Sequence, residues 1–130
     1  MQPVKHTLKK EERLKSRKMI TELFHSGKII HSYPFKALYI LSEEKNNEFH
    51  AQFAISVSKK NFKQAVERNY IKRKVRETYR LNKHLLYKEL IRNNKNVYLF
   101  VIYTATEDLH ITLIEKGIKN LITKLSKKLS

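Results

Sequence analysis

Apolar residues recur along this chain with two periods, and the points where the period changes mark its elements. Ile20, Leu23 and Phe24 repeat at helical spacing between Ser16, whose hydroxyl suits an N-cap, and Gly27. The pattern predicts a short helix over 17–26 with Gly27 as its C′ residue. Residues 29–33 form a short candidate strand before Pro34. From 35 to 42, Phe35, Ala37, Tyr39 and Leu41 alternate with Lys36, Leu38 and Ile40. From 48 to 57, Phe49, Ala51, Phe53, Ile55 and Val57 alternate with His50, Gln52, Ala54 and Ser56. Period-two alternation marks half-buried strands, and the polar turn at 43–47 predicts that these two runs pair as an antiparallel hairpin.

Helical spacing returns at about 62–80, where Ile71, Val75, Thr78 and Tyr79 gather on one face, and it extends toward 91 through Leu85 and Leu86. Asn93-Asn94-Lys95-Asn96 breaks it. The nearly unbroken apolar run at 97–104 predicts a central strand covered on both faces. Asp108 is the expected cap of a last helix at 109–128, with the stripe Ile114, Ile118, Leu121, Ile122 and Leu125. The order is αβββαβα. It predicts an α+β sandwich, a small and mostly antiparallel sheet with helices packed mainly on one side. No repeat or linker interrupts it, so 1–130 reads as a single domain, with 1–15 as a basic extended arm.

Charge changes the picture most between 68 and 83. Arg68, Lys72, Arg73, Lys74, Arg76, Arg80 and Lys83 surround the single carboxylate Glu77. Arg68, Lys72, Arg76 and Arg80 climb one flank at i, i+4, with Asn69 and Arg73 beside them. Like charges at that spacing repel by about 0.2–0.5 kcal/mol per pair, so the flank calls for a polyanion. The whole chain agrees: 28 Lys+Arg against 12 Asp+Glu give a formal net charge of +16 on 130 residues. Such a field favours nucleic acid or anionic membrane. Hydrophobic residues still make up 41% of the chain, too many and too periodic for a disordered polycation.

Other chemistries find little support. The chain has no cysteine, which excludes disulfides and thiolate metal sites. Glu11-Glu12, Glu43-Glu44 and Glu107-Asp108 fall at expected edges or turns and read as caps or solvated charge. The six histidines are scattered, and no Gly-rich phosphate loop is present. No catalytic or metal-ligating side chain is expected. The first residues lack the apolar core of a secretory signal, and the longest apolar run, 97–103, falls short of the about 18–20 residues a bilayer span needs; a cytoplasmic protein without a membrane role is expected. A basic helix that also anchors a sheet does not match the helix-turn-helix or zipper geometries of duplex DNA readers. Aromatic Phe24, Tyr39 and Phe53 are candidates for stacking unpaired bases.

Ser56-Val57-Ser58-Lys59-Lys60, then Ala65-Val66-Glu67-Arg68-Asn69-Tyr70-Ile71-Lys72-Arg73 and Arg76-Glu77, resembles the signature of the bacterial ribonuclease P protein subunit. Arg13-Leu14-Lys15 and the final strand–helix pair extend the resemblance over nearly the whole chain. It implies a left-handed crossover around the basic helix, against the usual rule. It also implies a holoenzyme that removes the 5′ leader of precursor tRNA. Catalysis would belong to an RNA subunit using Mg²⁺ held mostly by RNA, and no protein partner would be required. The implied RNA-binding residues are Arg68, Asn69, Lys72, Arg73, Arg76, Arg80, Lys59 and Lys60. The cleft that the resemblance implies for the leader holds Ile20 and Phe24, and the stacking candidates Tyr39 and Phe53 complete the expected leader site. The chain departs from the family pattern at three points. Residues 61–64 replace a usual glycine and add a residue, Tyr70 stands where Arg is common, and Ile20 with Phe24 replaces an aromatic pair. The alternative is a ribosomal or other structural RNA-binding protein.

Overall fold

A computed structural model of the chain describes residues 8–43 and 49–129. Ser16 caps the first helix as its hydroxyl predicts: Oγ accepts from the Met19 N–H at 3.2 Å, and α1 runs Arg17–Ser26. Gly27 ends it in extended backbone (φ −67°, ψ 147°), not in the left-handed conformation of a usual C′ glycine. Glycine is required there by crowding, since a Cβ would lie 2.3 Å from the Leu23 carbonyl oxygen.

Four strands follow the predicted order, β1 (Lys28–Ser32), β2 (Phe35–Glu43), β3 (Ala51–Val57) and, after the long helix α2 (Ala65–Asn93), β4 (Lys95–Tyr103). Their arrangement corrects the hairpin expected between residues 35–42 and 48–57. The sheet order is β1-β2-β4-β3, so β4 separates β2 from β3. β2 is antiparallel to both β1 and β4, while β3 runs parallel to β4, with Phe53 beside Leu99 and Val57 beside Tyr103. The physical reason is that the most apolar strand takes an interior place, which pairs both its edges; its odd-numbered face from Val97 to Tyr103 is buried, while Tyr98, Phe100 and Ile102 on the other face are half-buried, not fully covered as expected. Most of the turn expected at 43–47 lies outside the described residues.

One face of the sheet carries the main core. Phe35, Ala37, Tyr39, Ala51, Phe53, Val97, Leu99, Val101 and Tyr103 meet the buried stripe of α2 (Ile71, Val75, Tyr79, Leu86, Leu90) and that of α3, which spans Ile111–Lys127. On α3, Ile114, Ile118, Leu121 and Leu125 are fully buried, each contributing about 1.5–3 kcal/mol. Gly117 lets α3 lie directly on the β1–β2 turn, where a Cβ would come within 2.7 Å of the Tyr33 carbonyl oxygen. Ser32 Oγ donates to the Gly117 carbonyl at 2.8 Å across the same contact. The other face is covered by α1 and the end of the arm, with Leu14 and Leu23 buried against Leu38 and with Ile20, Ile40 and Phe100 packed around them. Two helices on one side and one short helix on the other fit the expected layering.

Two ends differ from expectation. Asp108 does not cap α3; His110 does, its Nδ1 accepting from the Thr112 N–H at 3.2 Å, while Asp108 is drawn away into an ion pair with Lys74. Residues 8–15, the described part of the expected arm, lie along the outer edge of β3. Arg13 bridges Phe53 in parallel register, and the Leu14 N–H donates to the Phe53 carbonyl at 3.0 Å. Glu12, expected as solvated or capping charge, is buried and accepts from Lys83 Nζ at 2.6 Å. A buried lysine on α2 needs a carboxylate, and the arm supplies it.

Candidate nucleic-acid interface

Three of the predicted cations converge. Arg73, Arg76 and Arg80 project from α2 into an open cleft of about 780 Å³ whose floor is Ala54 and Ile55 of β3. The docked arm closes its far wall and adds Arg13, a residue that the sequence reading places in the family-like segment but not in the site. Glu77 also lines this cleft. It accepts from Arg80 Nε at 3.1 Å, because the two residues sit at i, i+3. That hydrogen bond holds the Glu77 carboxyl below its ordinary value. Four guanidinium groups around one carboxylate leave a strongly positive concavity, and guanidinium forks suit phosphate oxygens.

The remaining predicted cations are arranged differently. Lys59 and Lys60 are exposed on the turn leading from β3 to α2, Asn69 is exposed on α2, and Lys72 is half-buried. Arg68 turns back from the flank, its Nη1 donating to the Phe62 carbonyl at 2.8 Å and the Lys63 carbonyl at 2.9 Å. It therefore ties down the stretch that lacks the family's usual glycine. Phe62 plugs this stretch into the core beside Tyr103, and no positive φ is used there. Lys83, counted with the basic run, faces inward to Glu12. Lys74 does not replace the arginine missing at position 70. Its ammonium is held by Asp108 and by the Leu109 carbonyl at 2.8 Å, and it lies over the Tyr70 ring, 4.9 Å from the centroid.

The aromatic candidates divide by face. Phe24 is 60% exposed on α1 and meets Phe100 edge-on at 5.2 Å, with Ile20 half-buried one turn earlier. Tyr39 and Phe53 are each only 3% exposed and belong to the opposite face. Phe53 stacks flat on Tyr79 at 3.9 Å. Both are core residues, because odd-numbered positions of β2 and β3 face the layer formed by α2 and α3. The accessible rings of the α1 face are Phe100 and Tyr98 of β4, the latter packed against Phe49 at 5.5 Å. Sequence reasoning misses them because an all-apolar strand hides which parity faces out.

Among the described residues no three His, Asp or Glu side chains gather to hold a metal ion. Nor is any described helix long and apolar enough to cross a membrane.

Comparison with known proteins places this geometry in one family. The family profile described as Ribonuclease P matches residues 8–126. The ribonuclease P protein component of Porphyromonas gingivalis is 39% identical over 106 residues, covering 82% of this chain and 75% of that protein. That of Chlorobium phaeobacteroides is 38% identical over 84 residues, 63% of this chain and 58% of the relative. Among solved structures, the RNase P protein of Thermotoga maritima shares the fold with a TM-score of 0.67 at 24% identity, covering 87% of this chain and 96% of that one. The Staphylococcus aureus RNase P protein does so with 0.64 at 24% identity, over 92% and 98%. With the profile and a relative of this identity both spanning most of its length, the chain belongs to the ribonuclease P protein component family.

Proposed function

We propose that this chain is the protein subunit of a ribonuclease P holoenzyme and binds two kinds of RNA on two faces. The catalytic RNA lies along the basic flank of α2, where Arg13, Arg73, Arg76 and Arg80 line one cleft and Lys59, Lys60, Asn69 and Lys72 extend the surface toward the start of the helix. The single-stranded 5′ leader of precursor tRNA crosses the α1 face, where Phe24 and Phe100 offer π surfaces beside Ile20 and Tyr98. Stacking and backbone charge read unpaired RNA with little regard to sequence, which suits a subunit that must accept many leaders.

The observation that carries the reading is the fixed cleft of arginines, held by a helix on one wall and a docked arm on the other. Hydrolysis of the phosphodiester bond is assigned to the RNA, with Mg²⁺ on RNA oxygens. The protein contributes by neutralising phosphates where the RNA subunit and leader approach each other, which raises substrate affinity and lowers the magnesium needed. Such complexes form in the cytoplasm.

Reconstitution tests it. The purified protein is mixed with a bacterial ribonuclease P RNA and a leader-bearing precursor tRNA at low magnesium. Cleavage that requires both RNA and protein supports the assignment. Protein that binds ribosomal RNA tightly and gives no stimulation would replace it with a structural RNA-binding role, and cleavage by protein alone would move the chemistry onto this chain.

A further inference from the structure

The geometry points to Tyr70 as a stacking platform for an unpaired nucleobase of the RNA held along α2, an inference that rests on the RNA-binding reading above. Tyr70 is 53% exposed and Val66, one turn earlier, is 81% exposed. Both stand in the first turns of the most basic helix of the chain, beside Asn69 and Arg73. Two large apolar side chains in water on a polycationic surface call for a partner that is anionic and also presents an apolar face. A nucleotide does both.

The ring is fixed rather than merely exposed. Lys74 Nζ lies 4.9 Å from its centroid, and that ammonium is itself anchored by Asp108 and by the Leu109 carbonyl at 2.8 Å. With its own charge already matched by Asp108, Lys74 is a poor phosphate ligand and serves as a brace for the ring. A braced ring loses little rotamer freedom on binding. A base laid on the open side of Tyr70 also covers Val66, while Arg73 reaches the adjoining phosphate. Where an arginine would add one more phosphate contact, this chain places a base contact.

The chain has no tryptophan, so Tyr70→Trp gives a single fluorescent reporter at the platform. The probe is a bacterial ribonuclease P RNA transcript titrated against the full-length protein. We expect strong quenching of Tyr70→Trp on binding. Tyr70→Leu, which keeps bulk and removes the π face, should bind about 5- to 150-fold more weakly. Its salt dependence should keep the wild-type slope, since no phosphate contact is lost. Tyr70→Phe should recover the affinity that Tyr70→Leu loses. Tyr70→Leu binding as tightly as wild type, or Tyr70→Phe failing as badly as Tyr70→Leu, would overturn the platform while wild-type binding still upholds the RNA reading. A wild-type protein that does not bind this RNA at all would overturn both.

Discussion

Lys83 Nζ donates to Glu12 Oε2 at 2.6 Å inside the protein, joining the arm to the middle of α2 across 71 residues of sequence. Their side chains are only 7% and 11% exposed, so each needs the other. Removing one partner of a buried pair costs about 3–5 kcal/mol, and replacing both with apolar groups costs much less. Lys83→Met and Glu12→Leu should each lower the urea midpoint sharply, and the double variant should recover most of the loss. The single variants should also weaken RNA binding, because Arg13 follows Glu12 directly into the cleft. A double-mutant cycle by urea unfolding checks the coupling.

Arg68 and Arg76 should separate stability from binding. Arg76→Ala should reduce the log–log salt slope for RNA by about 0.7–0.9 and leave thermal unfolding nearly unchanged. Arg68→Ala strips the donors from the Phe62 and Lys63 carbonyls, and lost hydrogen bonds to a charged group cost about 1.5–3 kcal/mol. Equal melting temperatures for the two variants would place Arg68 back on the binding surface.

Gly117→Ala should destabilise the protein, although alanine is the better helix former by about 1 kcal/mol. The added methyl meets the Tyr33 carbonyl oxygen at 2.7 Å and Pro34 Cδ at 2.8 Å, and overpacking of this kind costs about 1–3 kcal/mol. Calorimetry should show a lower Tm, with the RNA salt slope untouched.

Phe24→Ala and Tyr39→Ala should behave oppositely. Phe24 is exposed, so its loss should weaken binding of precursor tRNA with a long leader more than of tRNA with none, at small cost in Tm. Tyr39 lies in the core, and aromatic-to-alanine changes there cost about 3–5 kcal/mol. Affinity measured with both substrates, beside thermal melts, distinguishes them.

Alkaline pH should loosen the fold. Burial pushes the hydroxyls of Tyr79 and Tyr87 far above the ordinary value of 10.0, and those of Tyr39 and Tyr103 move the same way. The Tyr79 and Tyr87 hydroxyls are buried without a well-formed hydrogen bond among the described residues. In the unfolded chain these groups ionise near pH 10, about their free value. The folded state holds its protons longer, so stability is intact below that pH and declines as pH rises past it. Tyrosinate absorbance should show fewer than the seven tyrosines titrating before the chain unfolds.

The sequence reveals faces more readily than neighbours. The stripes Ile71, Val75, Thr78, Tyr79 and Ile114, Ile118, Leu121, Leu125 are legible because a helix buries what its period aligns. Alternation in β2 and β3 likewise groups Tyr39 with Ala37 and Phe53 with Ala51. It says nothing of strand edges, so the place of β4 between them is invisible, and it does not say which face the helices cover. Tyr39 and Phe53 are therefore misplaced in the leader cleft, while Phe100 and Tyr98 go unnoticed. The cation run is legible as charge, but the inward turn of Lys83 depends on Glu12, too distant in sequence for any local pattern to link.

The placement of β4 has a consequence for how the chain is made. Synthesis delivers β1, β2 and β3 first, then the 29 residues of α2, and only afterwards the strand that belongs between β2 and β3. Until residues 95–103 leave the ribosome, β2 has one partnerless edge and β3 has no strand beside it. Unpaired edges of that kind recruit other chains. Insertion of β4 is the late, long-range event on which the sheet waits, and a nascent chain stalled short of it carries a finished polycation on an unfinished sheet.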